Sequence, residues 1–210
     1  MILQKCYEHS RGRNDGVVQR MRQIHLSVLA FYAEARCFGC FRKEKYMTEK
    51  HIVHGFKPVY DKNSKVLILG SMPSVKSREQ GFYYGHPQNR FWKLIAEICN
   101  REVPKTVSEK RALLIDNRIA VWDVIKECDL VGSSDASLKN VVPADLSEIF
   151  DNSAVKVVFT NGSAASKIFE KYHKGKYSAA HFCLPSTSPA NAAWNFERLL
   201  TEWSRIKAYL

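Results

Sequence analysis

The sequence predicts an α/β protein, a three-layer α/β/α sandwich built on a four-stranded parallel sheet. Three observations carry this. Short, nearly continuous apolar runs recur from residue 65 onward and read as strands buried on both faces. Segments of helical periodicity separate them. The stretches densest in Gly, Pro and polar residues directly follow the strands, where ligands bind in such sheets. With 210 residues, 45% of them apolar, the chain can build one well-packed domain and hardly two.

Residues 1–46 differ from the rest. They carry nine Lys or Arg against four Asp or Glu, and no strand pattern occurs before residue 65. Residues 17–35 could form an amphipathic helix. This segment is read as a basic N-terminal extension, in part disordered, with Met47 opening the compact domain, 47–210. A DNA-binding arm and a passive tail are both consistent with its composition.

Lys65 to Gly70 is the first strand. Asn89 to Cys99 is a helix, with Trp92, Ile95, Ala96 and Cys99 on one face. Thr106 and Glu109 make a capping box that opens a helix running to about Asn117. Arg118 to Val124 is the second strand, and Ala144 to Phe150 a short helix. Val155 to Thr160 is the third strand. Asn161 can then cap a helix from Ser163 to Tyr172. Ala180 to Leu184 is the fourth strand. Residues 190–207 form a last helix, amphipathic through Trp194, Leu199 and Trp203.

The formal net charge of +11 and the sequence pI near 9.4 favour a polyanionic partner. No apolar run reaches the roughly 18 residues of a membrane span. Leu26 to Ala35 is interrupted by Ser27 and Glu34 and lacks a cleavage site, so an intracellular protein is expected. Cys99, Cys128 and Cys183 lie in apolar contexts and read as reduced core thiols. Cys37 and Cys40 form a C-x-x-C pair with no second pair to complete a zinc site.

Four segments that follow strands should converge on one rim: Gly70 to Asn89, Asp123 onward, Asn161-Gly162, and Pro185 to Asn191. Gly70-Ser71-Met72-Pro73-Ser74 leaves the first strand through a tight turn and can present backbone amides to an anion or to a base edge. Gly81 to Trp92 packs aromatics, His86 and a carboxamide into one loop. In it, Tyr83 or Tyr84 could stack on a planar ring or merely pack the loop down. Asn89 could cap the helix or hold a water with its amide oxygen. Asp123, ending the second strand, could cap the next turn. Pro185-Ser186-Thr187-Ser188-Pro189, a stiff loop of hydroxyl residues, suits contact with phosphates. A serine hydrolase needs a G-x-S-x-G elbow, which the Gly70–Ser74 turn does not supply.

Together these segments, over about residues 63–207, resemble the uracil-DNA glycosylase superfamily, and most closely its hypoxanthine-DNA (deoxyinosine) glycosylase branch, sometimes called family 6. Gly70–Ser74 resembles the family's first motif, and Leu184–Pro189 the second motif, which pinches the DNA backbone. Tyr83-Tyr84-Gly85-His86-Pro87-x-Asn89-x-Phe91-Trp92 is the most specific match. The sequence also departs from the wider superfamily. Mismatch-specific members carry Asn where Met72 stands. Uracil enzymes carry Asp near there, and His where Leu184 stands. With those substitutions some activity on uracil is expected to be lost.

The resemblance implies a monofunctional enzyme that flips a deaminated base, hypoxanthine foremost, out of DNA and hydrolyses its N-glycosyl bond. Asn89 is expected to position the water, and His86 or His181 to hydrogen-bond the departing purine. Gly70, Ser71, Met72, Pro73, Ser74, Tyr83, Tyr84, Asp123 and Asn161 are expected at the base. Pro185, Ser186, Thr187 and Ser188 are expected on the DNA backbone. No metal or organic cofactor, no membrane and no second copy of the chain are expected. A uracil- or mismatch-specific glycosylase and a non-catalytic DNA-binding module are the alternatives.

Overall fold

The computed structural model describes residues 49–131 and 138–210. The expectations for residues 1–46, Cys37 and Cys40 included, lie outside these residues. In chain order the elements are strands β1 (Glu49–Val53) and β2 (Val66–Gly70) and helices α1 (Val75–Gln80), α2 (Phe91–Ile98) and α3 (Val107–Asp116). Strands β3 (Ile119–Asp123), β4 (Ile125–Val131) and β5 (Leu138–Pro143) follow, then α4 (Ser147–Asp151) and β6 (Val157–Asn161). The chain continues through α5 (Ser163–Tyr172), β7 (Ala180–Leu184) and α6 (Phe196–Trp203) into a 3-10 turn, Ser204–Tyr209.

The central sheet has the order β3-β2-β6-β7, and every neighbouring pair is parallel. All five residues of β2 are buried. Side chains alternate across a strand, so Val66 and Ile68 enter one core and Leu67 and Leu69 the other. The first core is closed by Phe91, Leu94 and Ile95 of α2, Leu114 of α3, and Leu199 and Trp203 of α6. The second is closed by Ala165 and Phe169 of α5, Ile149 of α4, and Ile52, Ile125 and Cys128 from a second sheet. The expected three-layer α/β/α arrangement with four parallel strands is therefore present.

The second sheet, β1-β4-β5, is antiparallel and was not foreseen. Its strands hide their period. Register shifts break the β4–β5 ladder between Ile125 and Glu127 and again between Glu127 and Asp129, so apolar and polar residues do not alternate cleanly. Two other expectations need adjustment. The last helix begins at Phe196 rather than near 190, with Asn195 as its N-cap. Cys128 is buried, but Cys99 is only half-buried and Cys183 is exposed on the edge strand β7.

Candidate active site at the carboxyl rim of the sheet

The four parallel strands end together. Gly70 is in register with Asp123, and Asn161 with Leu184, so the last residues of β2, β3, β6 and β7 form one row. Gly70 is required there. A Cβ on it would stand 2.2 Å from Asp123 Oδ1 and 3.3 Å from the Tyr84 hydroxyl.

The Gly70–Ser74 turn is held from within. Gly70 and Ser71 carbonyls accept from the amides of Val124 and Ile125. The Pro73 carbonyl accepts from the Arg78 guanidinium at 2.7 Å, and that of Ser74 from the Arg78 amide. The Ser74 hydroxyl caps α1 by accepting from Ser77 N–H. Pro73 is buried, and Met72 packs against the second core. The side chains of Met72, Pro73 and Ser74 are thus spent on structure, and what the turn can offer a base is its backbone.

The Gly81–Trp92 loop separates the two tyrosines. Tyr83 is 2% exposed and donates its hydroxyl to the Lys57 carbonyl at 2.9 Å. Phe56 and Phe82 meet its ring edge-on. It has no free face for a base, so the stacking expected of it is corrected to a core role. Tyr84 holds a positive φ of 51°, an uncommon conformation for a non-glycine residue. Its ring stacks on Phe91 at 3.8 Å, and its buried hydroxyl has no hydrogen-bond partner among the described residues. Burial first, and then the charge of Asp123, push both phenols well above their ordinary pKa. Gly85 fits this loop because a Cβ would lie 2.9 Å from the Lys76 carbonyl.

Asn89 is half-buried at the entrance to α2. Its Oδ1 accepts from Phe91 N–H at 3.0 Å, and its backbone N–H donates to the His86 carbonyl. An amide oxygen has a second lone pair, so this turn still leaves an acceptor for a water. His86 Nδ1 accepts from Gln88 N–H at 3.2 Å, so the neutral ring carries its proton on Nε2. His181 lies elsewhere. It sits in the first half of β7, on Phe169 and bonded to Thr160 Oγ1, away from the carboxyl rim.

The third loop is pinned by two residues. Asn161 was expected to cap α5; instead Gly162, with φ 97°, takes that position. The Asn161 carboxamide clamps Thr187, accepting from its N–H and donating to its hydroxyl, both at 2.9 Å. Thr187 is fully buried and therefore unavailable to a phosphate, a correction to its expected role. Ser186 and Ser188 are half-buried, and each hydroxyl accepts from a backbone N–H two residues on. Their hydroxyl protons remain available for donation. The Pro185 carbonyl is fixed by the Trp203 indole at 2.9 Å.

Sequence reasoning missed two residues here. Arg90 donates from Nε to the Thr187 carbonyl and from its fork to the carbonyls of Ser188, Asn191 and Trp194. Its amide also donates to Thr187. It ties the start of α2, and so Asn89, to the third loop. His54, directly after β1, donates from Nε2 to Asp123 Oδ2 at 2.9 Å, with both side chains almost fully buried. The only signal for Arg90 was its place beside Asn89. His54 had none, because the sheet that carries it was not legible.

These geometric features agree with comparisons to known proteins. The Uracil DNA glycosylase superfamily profile matches residues 57–209. The chain is 32% identical over 157 residues to the Hypoxanthine DNA glycosylase of Methanosarcina acetivorans, covering 74% of this chain and 98% of that one. It is 35% identical over 115 residues to the Hypoxanthine DNA glycosylase of Methanosarcina barkeri, covering 54% and 73%. Its fold matches the solution NMR structure of a Methanosarcina acetivorans protein assigned to the uracil DNA glycosylases, with a TM-score of 0.64 at 32% identity over 72% of this chain and 94% of the other. The chain belongs to the uracil DNA glycosylase superfamily.

Proposed function

We propose that this protein is a monofunctional DNA glycosylase that removes hypoxanthine by hydrolysis, acting as a monomer on DNA. The observation that carries this reading is the meeting of the three motif loops at one rim. Tyr84 of the second loop abuts Gly70 of the first, and Arg90 ties the second loop to the third. The reaction is assigned to residues 47–210.

A stacked base is out of reach, so its nucleotide must be extruded, at a cost of a few kcal/mol that is smallest for a poorly paired base. The Ser186 and Ser188 hydroxyls offset part of this by gripping the flanking phosphates. The exposed Pro189, Ala190, Ala192 and Ala193 form a small apolar wedge for the minor groove. In the slot, backbone amides of the 70–74 turn face O6. Asp123 accepts the N1–H that hypoxanthine has and adenine lacks. A carboxylate offers about four lone-pair sites, so it can accept from a base while His54 holds Oδ2.

Asn89 Oδ1 accepts a hydrogen bond from a water and so turns the water's oxygen lone pair toward C1′. As the C1′–N9 bond lengthens, the sugar gains positive charge and the purine gains electron density. His86 Nε2–H donates a hydrogen bond to the leaving ring. Water then adds to C1′ as the C1′–N9 bond breaks, and the proton it loses passes through solvent to the departing purine anion, giving neutral hypoxanthine and an abasic deoxyribose. No lysine is assigned as a Schiff-base nucleophile, so the strand stays intact until alkali is added.

The test is base release from oligonucleotides that each carry one deoxyinosine, deoxyuridine or deoxyxanthosine. Release of hypoxanthine, with strand scission only after alkali, is expected with or without residues 1–46. Release of uracil alone would replace the substrate, and binding without release would make the rim a DNA-binding module.

A further inference from the structure

We infer that His54 is a positioning residue that aims the Asp123 carboxylate at the extruded base and so sets selectivity for a ring bearing an N–H. This rests on the glycosylase reading above.

Asp123 must be held in place if it is to read a base. Its side chain is 5% exposed and ends β3 at the rim, with Oδ1 against Gly70. His54 reaches it from another sheet, across 69 residues of sequence. A carboxylate can only accept, so the His54 Nε2 must carry the proton. The ring that brings this proton is itself fixed. It stacks on Trp122 at 14° and 5.5 Å, and Phe56 closes it at 4.6 Å. Its Nδ1 is buried, with no hydrogen-bond partner among the described residues. A buried histidine with one nitrogen unsatisfied is an expensive way to fill an apolar gap. Among the described residues the carboxylate is the one polar partner of its side chain, and the base-reading role requires that carboxylate in a fixed orientation. With Oδ2 engaged by His54, rotation of the carboxylate is blocked and Oδ1 is kept at the Gly70 edge, on the side of the first loop. The backbone of β1 supports the same geometry, because His54 N–H donates to the Lys126 carbonyl at 2.8 Å.

A glutamine side chain can place an N–H where His54 Nε2 lies, whereas asparagine is too short to reach Asp123. Phenylalanine keeps the stack and removes the donor. In the full-length protein, His54→Asn and His54→Phe should lower kcat/KM on deoxyinosine DNA by about 100-fold, the size of effect produced by a reacting group misplaced by an ångström. His54→Gln should recover most of it. In an Asp123→Asn background, itself impaired, adding His54→Asn should have no further effect, because the group it positions has gone. His54→Gln behaving like His54→Asn, or a full additional loss in the Asp123→Asn background, would overturn the inference while leaving the glycosylase reading intact. Absence of hypoxanthine release by the wild-type protein would remove both.

Discussion

Replacing Arg90 tests the link on which the geometry of the rim depends. Arg90→Met keeps the aliphatic stem and deletes the fork. Four backbone carbonyls, those of Thr187, Ser188, Asn191 and Trp194, then lose a charged donor. A hydrogen bond to a charged group contributes about 1.5–3 kcal/mol. The site is half-buried, so water can replace part of the loss, and the net cost should be about 3 kcal/mol. For a domain of this size that corresponds to a fall in Tm of roughly 6–12 °C. Arg90→Lys should recover little, since one ammonium cannot span four carbonyls. Because Asn89 precedes Arg90, base release should also fall, by about 100-fold. Calorimetry and single-turnover assays on the same preparations measure both. A Tm within about a degree of wild type, with base release unchanged, would refute the tie.

Gly70→Ala should destabilise the protein by about 1–3 kcal/mol in denaturant titration and abolish base release, because the new Cβ would displace the buried Asp123 carboxylate. Thr187→Val should lower stability by about 1–3 kcal/mol by leaving the Asn161 amide unpaired. Unlike Ser186→Ala and Ser188→Ala, it should not weaken DNA affinity through a lost phosphate contact; fluorescence anisotropy separates them. Burial lowers the pKa of His173 and His181 from the ordinary 6.5. The unfolded chain therefore binds their protons more readily, and stability should be full above about pH 6.5 and fall as the pH drops below it. His173→Phe should flatten that fall in thermal melts between pH 7 and pH 5, and an unchanged slope would argue against burial as its cause.

The parallel sheet was legible because its strands are short apolar runs with no competing period. The Thr106–Glu109 capping box was legible because both halves of the reciprocal bond are side-chain types with few other local uses, and the structure forms it. The antiparallel sheet was not, since bulges and charged residues obscure its alternation. With it went His54, whose partner is 69 residues away. At the rim, sequence identified which segments meet but not which side chains face inward. Tyr83 and Tyr84 are neighbours of one chemical type, and only the packing of Phe56 and the Lys57 carbonyl sends the first into the core. Residues 190–195 read as helix from their apolar spacing. The Asn191 and Trp194 carbonyls are instead bound by Arg90, and the helix begins after them.

The most direct measurement is single-turnover release of hypoxanthine by Asn89 variants. Asn89→Ser keeps a side-chain oxygen for the turn onto Phe91 N–H but lacks the carboxamide that would hold the water. It should fold with a Tm near wild type, bind deoxyinosine DNA with similar affinity, and release base slower by about 100-fold or more. Release at the wild-type rate from Asn89→Ser would contradict the assignment of water positioning to this residue.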